Sequence, residues 1–301
     1  MVQLPSQLTQ KMRHRIGLSH APVFSTLCCA FLCLYEQVLF VKRSLDELHS
    51  HIDIILKNAK CIKDKMNAHE LLISALTLKG SNLEALKHAK SVLDSLGFPF
   101  PPSINSETVA GIVTSLGSTT MAFTPDKLRA FPLMTEKVPL QAMRIMRAVH
   151  MPFSFSHPTM FQMMACQMVQ LTLKHGICVE SAEAFANFGY VQNTLFHNFE
   201  IGFRMGKLAL IILERFKATH NVAKVYFLVH GFLSVWREPL QATIEGLRSS
   251  VNIGLLEGDF QNAMFNQVVL NRQMILAGCH LSECSESLFA ICREFVRIFE
   301  S

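Results

Sequence analysis

The sequence is poor in charge and in the paired residues that build metal sites. Only 17% of its 301 residues are charged. It has nine cysteines, none of them in a C-x-x-C pair, which is the spacing that a structural zinc site commonly uses. We therefore expect no metal and no cofactor, and interpret the cysteines as reduced thiols in the core of a cytoplasmic protein.

The sequence also lacks the linear signatures of phosphate and acyl chemistry. It contains no G-x-x-x-x-G-K-[ST] loop, no H-R-D, no D-F-G and no G-x-S-x-G. His69 and Glu70 begin like the metalloprotease H-E-x-x-H, but Ile73 stands where the second histidine belongs. We predict no catalytic, cofactor-binding or metal residues and no enzymatic activity. An enzyme with an unrecognised site in the loop-rich region 97–158 stays open as the alternative.

Hydrophobic residues, in contrast, are abundant. They make up 50% of the chain, a composition that disfavours disorder and indicates apolar faces covered by other parts of a larger assembly. The formal net charge is a mild +5, and basic residues are spread along the chain, so nucleic acid is not an expected partner. The run 27–41 resembles a signal peptide or membrane anchor. Glu36 and Gln37 interrupt it, whereas a span needs about 20 apolar residues. We predict a buried helix there, with a membrane-associated helical protein as a further alternative.

The hydrophobic periodicity is helical throughout, and the predicted fold class is all-α. In the second half, helix starts near 158, 199 and 239 repeat at roughly 40 residues, as stacked helical hairpins do. We predict antiparallel hairpins stacked as a tetratricopeptide-like α-solenoid. The expected helices in this half span about 158–175, 180–196, 199–216, 220–236, 239–257, 259–277 and 281–299.

The punctuation by proline and glycine divides the chain into four segments. Gly80, Gly97 and Gly258 each follow a helical pattern as a glycine at the helix C-terminus would. Residues 151–158 are interpreted as a linker. The segments are a flexible N-terminus (1–22), N-terminal repeat-like helices (23–102, with helices at about 23–41 and 44–65), an irregular helical connection (103–157) and a regular helical-repeat section (158–301).

Four local predictions concern packing. Trp236 closes the apolar face of its helix, so we expect it to be a buried anchor. Glu200 and Arg204 are spaced as an i,i+4 ion pair. His230 is interpreted as a hydrogen-bonded core histidine. The last prediction concerns Gly202 and Gly206, which cost helix stability and so indicate the close approach of a neighbouring helix.

Two turns resemble those of tetratricopeptide repeats, at 80–86 and 258–263. A longer resemblance, over about residues 66–300, is carried by five segments in a fixed order. They are LGFPFPP (96–102), AEAFANFGYV (182–191), IGFRMGKLALIILERF (201–216), WREPL (236–240) and GLLEGDFQNA (254–263).

These segments resemble the helical region of large multidomain signalling proteins. Such proteins carry a serine/threonine-kinase-like domain, an AAA-type predicted ATPase, the repeats, and then GAF and histidine-kinase domains. The resemblance implies a non-enzymatic scaffold or coupling segment of an ATPase-linked signal-transduction protein, or a fragment of one. It also implies protein partners, namely the ATPase or kinase modules of the same system. None of the family's catalytic motifs is present, so its activities are not carried over.

Overall fold

The computed structural model describes residues 52, 55–58, 62–101 and 104–300, and all of the regular elements there are helical. This confirms the all-α prediction. The prediction of a helix at 23–41, and most of the one at 44–65, lies outside the described residues. The helices are α1 (Ile62–Leu78), α2 (Asn82–Ser95), α3 (Ser106–Met121), α4 (Pro125–Ala130), α5 (Lys137–Ser156), α6 (Pro158–His175), α7 (Glu180–Phe196), α8 (Phe199–Phe216), α9 (Thr219–Leu228), α10 (Leu240–Leu256), α11 (Phe260–Leu276) and α12 (Leu281–Glu300).

The chain divides into two compact units, one ending at Lys79 and the other beginning at Gly80. In the second unit, the helices from α6 onward lie close to their predicted bounds, except for the one predicted at 220–236. The backbone at Gly80, Gly97 and Gly258 has positive φ, which confirms that these glycines end helices α1, α2 and α10.

Alternate helices of the second unit form one continuous layer. Helix α5 packs against α7, α7 against α9, and α9 against α11. Helices α6, α8 and α10 each pack against both members of this layer that flank them in sequence. We call α5, α7, α9 and α11 the central layer. Helix α3 lies outside it against α6 and α8, and α4 lies against α8.

The prediction of a linker at 151–158 is wrong, because α5 continues to Ser156. Proline inside a helix removes one backbone hydrogen bond and costs about 3 kcal/mol. The helix nevertheless runs through Pro152, and Phe153 beside it is completely buried. Burying a phenylalanine contributes about 1.5–3 kcal/mol, which offsets part of this cost.

The helix predicted at 220–236 is not regular. Helix α9 ends at Leu228, and the chain continues as a π-helical turn (Val229–Leu233) and a 3-10 turn (Ser234–Trp236). A π turn holds one residue more than an α turn, so it displaces the face on which later side chains lie. We call Val229–Leu233 the π turn.

This displacement explains why the prediction of a buried Trp236 is wrong. The Trp236 side chain is 56% exposed and stacks on Phe199, with ring centroids 4.2 Å apart. The predicted Glu200–Arg204 pair is not formed either. Glu200 Oε2 instead lies 2.6 Å from Arg237 Nη2, and Arg204 Nη2 donates to the Met121 carbonyl at 2.9 Å. Long-range partners therefore replace the local one.

The loops that precede α5 and α7 are joined by a short parallel bridge. Met134 N–H donates to the Ile177 carbonyl (2.8 Å), and Ile177 N–H donates to the Pro132 carbonyl (2.9 Å). Gly176 has a φ of +104°, and a Cβ there would lie 2.7 Å from the Leu133 carbonyl carbon. Only glycine fits this approach, which fixes the spacing of the two helices that begin the central layer.

Candidate functional site

Six polar side chains, four of them buried, gather on one face of three central-layer helices. Each helix contributes two residues spaced three or four apart, which places both on the same face. We call the six residues the polar hexad: Arg147 and His150 on α5, Glu183 and Asn187 on α7, and Asn221 and Lys224 on α9.

Two contacts join the helices through the hexad. Arg147 Nη1 donates to Asn221 Oδ1 at 3.4 Å, which bridges α5 and α9. Lys224 Nζ forms an ion pair with Glu183 Oε1, which bridges α9 and α7. The Glu183 side chain is 1% exposed and that of Lys224 is 16% exposed, so the pair is well shielded from water. Removing one partner of such a pair leaves a buried charge without compensation.

His150 contributes a neutral ring. The residue is completely buried, and neither of its ring nitrogens has a hydrogen-bond partner among the described residues. Burial lowers the pKa of His150 well below its usual value, and the nearby charge of Lys224 lowers it further. The uncharged imidazole therefore presents one N–H donor and one acceptor nitrogen to its surroundings.

Two amide nitrogens of the hexad also lack hydrogen-bond partners. The Nδ2 atoms of Asn187 and Asn221 are buried, and no described residue accepts a hydrogen bond from either. Buried donors without partners are rare in folded proteins, because each keeps the cost of losing its water. Glu183 Oε1, the oxygen that faces Lys224, likewise accepts no hydrogen bond from a described residue, so the hexad holds unsatisfied donors and acceptors together.

A chain of aromatic rings leads from the hexad towards the π turn. The ring centroids of His150 and Phe161 lie 4.2 Å apart. Phe161 is followed by Tyr190 at 6.1 Å, and Tyr190 by Phe232 at 5.4 Å. The second and third contacts are edge-on, the favoured geometry for aromatic pairs. The two unusual features of the central layer are therefore in packed contact.

The π turn is held by side chains from both of its neighbours in the layer. Three consecutive carbonyls, of His230, Gly231 and Phe232, accept side-chain hydrogen bonds. The donors, in that order, are Gln273 Nε2 of α11 at 2.9 Å, Arg272 Nη2 of α11 at 3.0 Å and Asn193 Nδ2 of α7 at 3.2 Å. Side-chain donors thus form hydrogen bonds with three backbone carbonyls of the irregular turn.

The prediction that His230 is a hydrogen-bonded core histidine is wrong for its Nδ1 atom, and the residue is only partly buried. Its ring packs edge-on against Tyr226 (4.8 Å between centroids), and a Cβ at Gly246 would lie 2.6 Å from the ring. Its Nδ1 is buried with no hydrogen-bond partner in the described part of the chain. Burial, followed by the charge of Lys207, lowers the pKa of His230 to about 4, and Glu238 acts in the opposite direction.

Other kinds of site find less support in the residues that the structure describes. Within them no cluster of three or more His, Cys, Asp and Glu side chains is placed to hold a metal. No described helix combines the length and apolar character needed to cross a membrane. Burial raises the pKa of both the Cys166 and Cys178 thiols to about 12, which leaves them protonated and unreactive.

Sequence reasoning missed both the hexad and the π turn. A usable signal existed for the hexad, because Glu183 and Asn187 lie four residues apart inside the otherwise apolar run AEAFANFGYV. Polar residues at helical spacing on an apolar face mark positions that need a buried partner. No comparable signal marks the π turn, where the local spacing is that of an ordinary helix.

Comparison with known proteins gives no family for this chain. No family model matches it, and no curated protein matches it. The resemblance to multidomain signalling proteins therefore stays a prediction based on the five quoted segments. The function has to be argued from the geometry of the central layer.

Proposed function

We propose that the chain is a non-enzymatic helical-repeat scaffold, stacked as an α-solenoid, that couples an ATPase module to an output module of a cytoplasmic signalling system. The observation that carries the proposal is the central layer, in which each helix packs on the next from α5 to α11. In a stack of this kind each repeat contacts its neighbours, so a small rotation at one end accumulates towards the other.

The π turn supports a coupling role. π-helical turns occur frequently at functional sites. This one receives hydrogen bonds from Asn193 on one side and from Arg272 and Gln273 on the other. A displacement of α7 changes the first bond, and the turn then shifts its contacts with α11. The aromatic chain from His150 to Phe232 gives the same path a densely packed interior.

A surface for a protein partner lies where the π turn ends. Trp236 and Phe199 form a stacked pair, and the ion pair of Glu200 with Arg237 connects the same two segments of the chain. Tryptophan and arginine are the residues that most often dominate the binding energy of protein interfaces. An exposed Trp236 next to the π turn would let a bound module act directly on the central layer.

The test is whether a module of the same signalling system binds the chain. Reading the coding sequence on both sides identifies the candidate ATPase or kinase-like module, whose binding to the purified chain is measured by calorimetry. We expect binding, a change in the ATPase rate of the module, and at least a tenfold loss of affinity in Trp236→Ala. Leu256→Ala is the matched control, because Leu256 is 87% exposed and lies on α10, away from the stacked pair.

Two results would contradict the proposal. One is that the neighbouring sequence encodes no ATPase or kinase module and no such module binds the chain. The other is nucleotide turnover by the purified chain alone, which would establish an enzyme with a site in the chain itself.

A further inference from the structure

We propose that the chain forms a homodimer in which α12 packs antiparallel on α12 of a second copy, with Phe289 of both copies at the two-fold axis. This goes beyond the scaffold role, which requires no self-association. It assigns an occupant to the exposed end of the central layer, next to α11.

Exposed apolar side chains form stripes on α11 and α12. On α12, Leu281, Leu288 and Cys292 are exposed and spaced as one stripe, and Phe289 beside them is 64% exposed. The stripe on α11 consists of the exposed residues Met264, Val268 and Ile275. The end helices of soluble repeat arrays carry a polar outer face, so an apolar one here indicates a covering partner.

The two stripes lie on the same side of the hairpin that α11 and α12 form. Gln267 Nε2 donates to Ser287 Oγ at 2.9 Å, which joins the two helices. Because each helical residue turns the chain by about 100°, both stripes lie about a quarter turn from this contact. Helices α6, α8 and α10 each pack between two layer helices, whereas the layer helix that α12 packs against is α11. The face corresponds to the position that a further layer helix would take.

Three exposed residues of α12 select a second copy as the occupant. Glu286, Phe289 and Arg293 follow one another at i, i+3 and i+7, so they form one row beside the stripe. An antiparallel copy with the two Phe289 rings in contact places each Glu286 opposite Arg293 of the other copy, because the row reverses. A parallel copy would instead bring like charges together. The row is therefore complementary to itself in the antiparallel arrangement.

The face is large enough for a stable pair. Helix α11 has 17 residues and is about 25 Å long. Two helices, each about 10 Å wide, then offer roughly 500 Å² per copy, or about 1,000 Å² in a dimer. A specific interface buries about that area or more. Apolar contact supplies most of the affinity, and the charges fix the direction in which the copies pair.

Sedimentation equilibrium of the full chain tests the dimer directly. We expect the mass to rise with concentration from 33.9 kDa to twice that value, over about 1–100 µM. Phe289→Glu brings two carboxylates together at the two-fold axis and should weaken the dimer at least about a hundredfold. Leu83→Glu is the control and should leave Kd unchanged, because Leu83 is 54% exposed on α2, which packs against α5 at the opposite end of the layer.

Charge reversal distinguishes the antiparallel pair from non-specific association of apolar surfaces. Glu286→Arg alone, or Arg293→Glu alone, creates two like-charge contacts per dimer and should weaken it about tenfold at low salt. The two substitutions together restore opposite charges and should bring Kd to within about threefold of its original value. Glu245→Arg, at an exposed position of α10, changes the net charge as Glu286→Arg does and should leave Kd unaltered.

The proposal is overturned if the unmodified chain stays at 33.9 kDa over the whole concentration range. The face would then be covered by a different protein or by another segment of this chain. A dimer that is equally tight in Phe289→Glu and Leu83→Glu would use another surface and overturns the proposal as well. A doubly substituted chain that dimerises as weakly as either single variant does the same. Because every substituted side chain is exposed, each variant should keep its helical content, which circular dichroism checks.

Discussion

Two polar regions of the central layer differ in which groups lack hydrogen bonds. At the π turn, three backbone carbonyls each receive a hydrogen bond from a neighbouring side chain, while the ring nitrogen His230 Nδ1 is buried without one. In the polar hexad, Asn187 Nδ2, Asn221 Nδ2 and both ring nitrogens of His150 are buried without a hydrogen-bond partner among the described residues. Each such group costs stability. The π turn thus has a satisfied backbone, whereas the unsatisfied groups of both regions are side chains.

The largest effect should come from breaking the ion pair of the hexad. Glu183→Gln leaves the charge of Lys224 largely buried without a counterion, so we expect a loss of about 3 kcal/mol of unfolding free energy in urea denaturation. Glu238→Gln is the control, because Glu238 pairs with Lys207 at a site where both side chains are partly exposed. That substitution should cost less than about 1 kcal/mol. Equal losses in the two variants would show that the Glu183–Lys224 pair is as accessible to water as the Glu238–Lys207 pair.

The next largest loss of stability tests how closely α7 and α8 pack beside the π turn. A Cβ at Gly202 would overlap the side chain of Asn193, which holds the Phe232 carbonyl of the π turn. Gly202→Ala should therefore cost about 2 kcal/mol, as overpacking does. Gly111 lies in α3 with no atom within 4 Å of a Cβ, so Gly111→Ala should gain about 0.5–1 kcal/mol from helix propensity. Thermal unfolding of both variants measures the difference in stability. If Gly202→Ala is as stable as the unmodified chain, α7 and α8 can move apart enough to accept the added methyl group.

The pH dependence of the unfolding free energy tests the burial of His230 in the π turn. The pKa of His230 is about 4 in the folded chain and about 6.5 when unfolded, so the unfolded chain binds more protons between these values. Stability is therefore full above about pH 6.5 and falls by about 2 kcal/mol by about pH 5. The nearby charges are Lys207, which favours the neutral ring, and Glu238, which opposes it.

His230→Gln removes this contribution and should flatten the pH dependence of Tm. The slope that remains belongs in part to His150, whose pKa is lowered in the same direction. A pH dependence identical to that of the unmodified chain would mean that the His230 ring is protonated at its ordinary pKa.

The sequence predicted what depends on regular local patterns. The helices from α6 onward follow from apolar spacing, and the glycines at 80, 97 and 258 follow from their need for positive φ. It failed where long-range contacts decide. Pro152 looks like a helix breaker, yet α5 continues past it. Glu200 and Arg204 have ideal local spacing, but each has a distant partner instead. The hexad is assembled from residues of three helices, so no single linear motif predicts that they come together.

The smallest loss of stability is expected at Trp236, the residue whose predicted burial the π turn prevents. A buried tryptophan loses about 3–5 kcal/mol on truncation to alanine. Because Trp236 is 56% exposed and stacks on Phe199, Trp236→Ala should cost only about 1 kcal/mol, the value of one stacked aromatic pair. Urea denaturation gives the free energy, and Phe199→Leu should show a comparable loss because it removes the same stacked pair. A loss above about 3 kcal/mol would mean that Trp236 is buried in solution and that the π turn does not displace it.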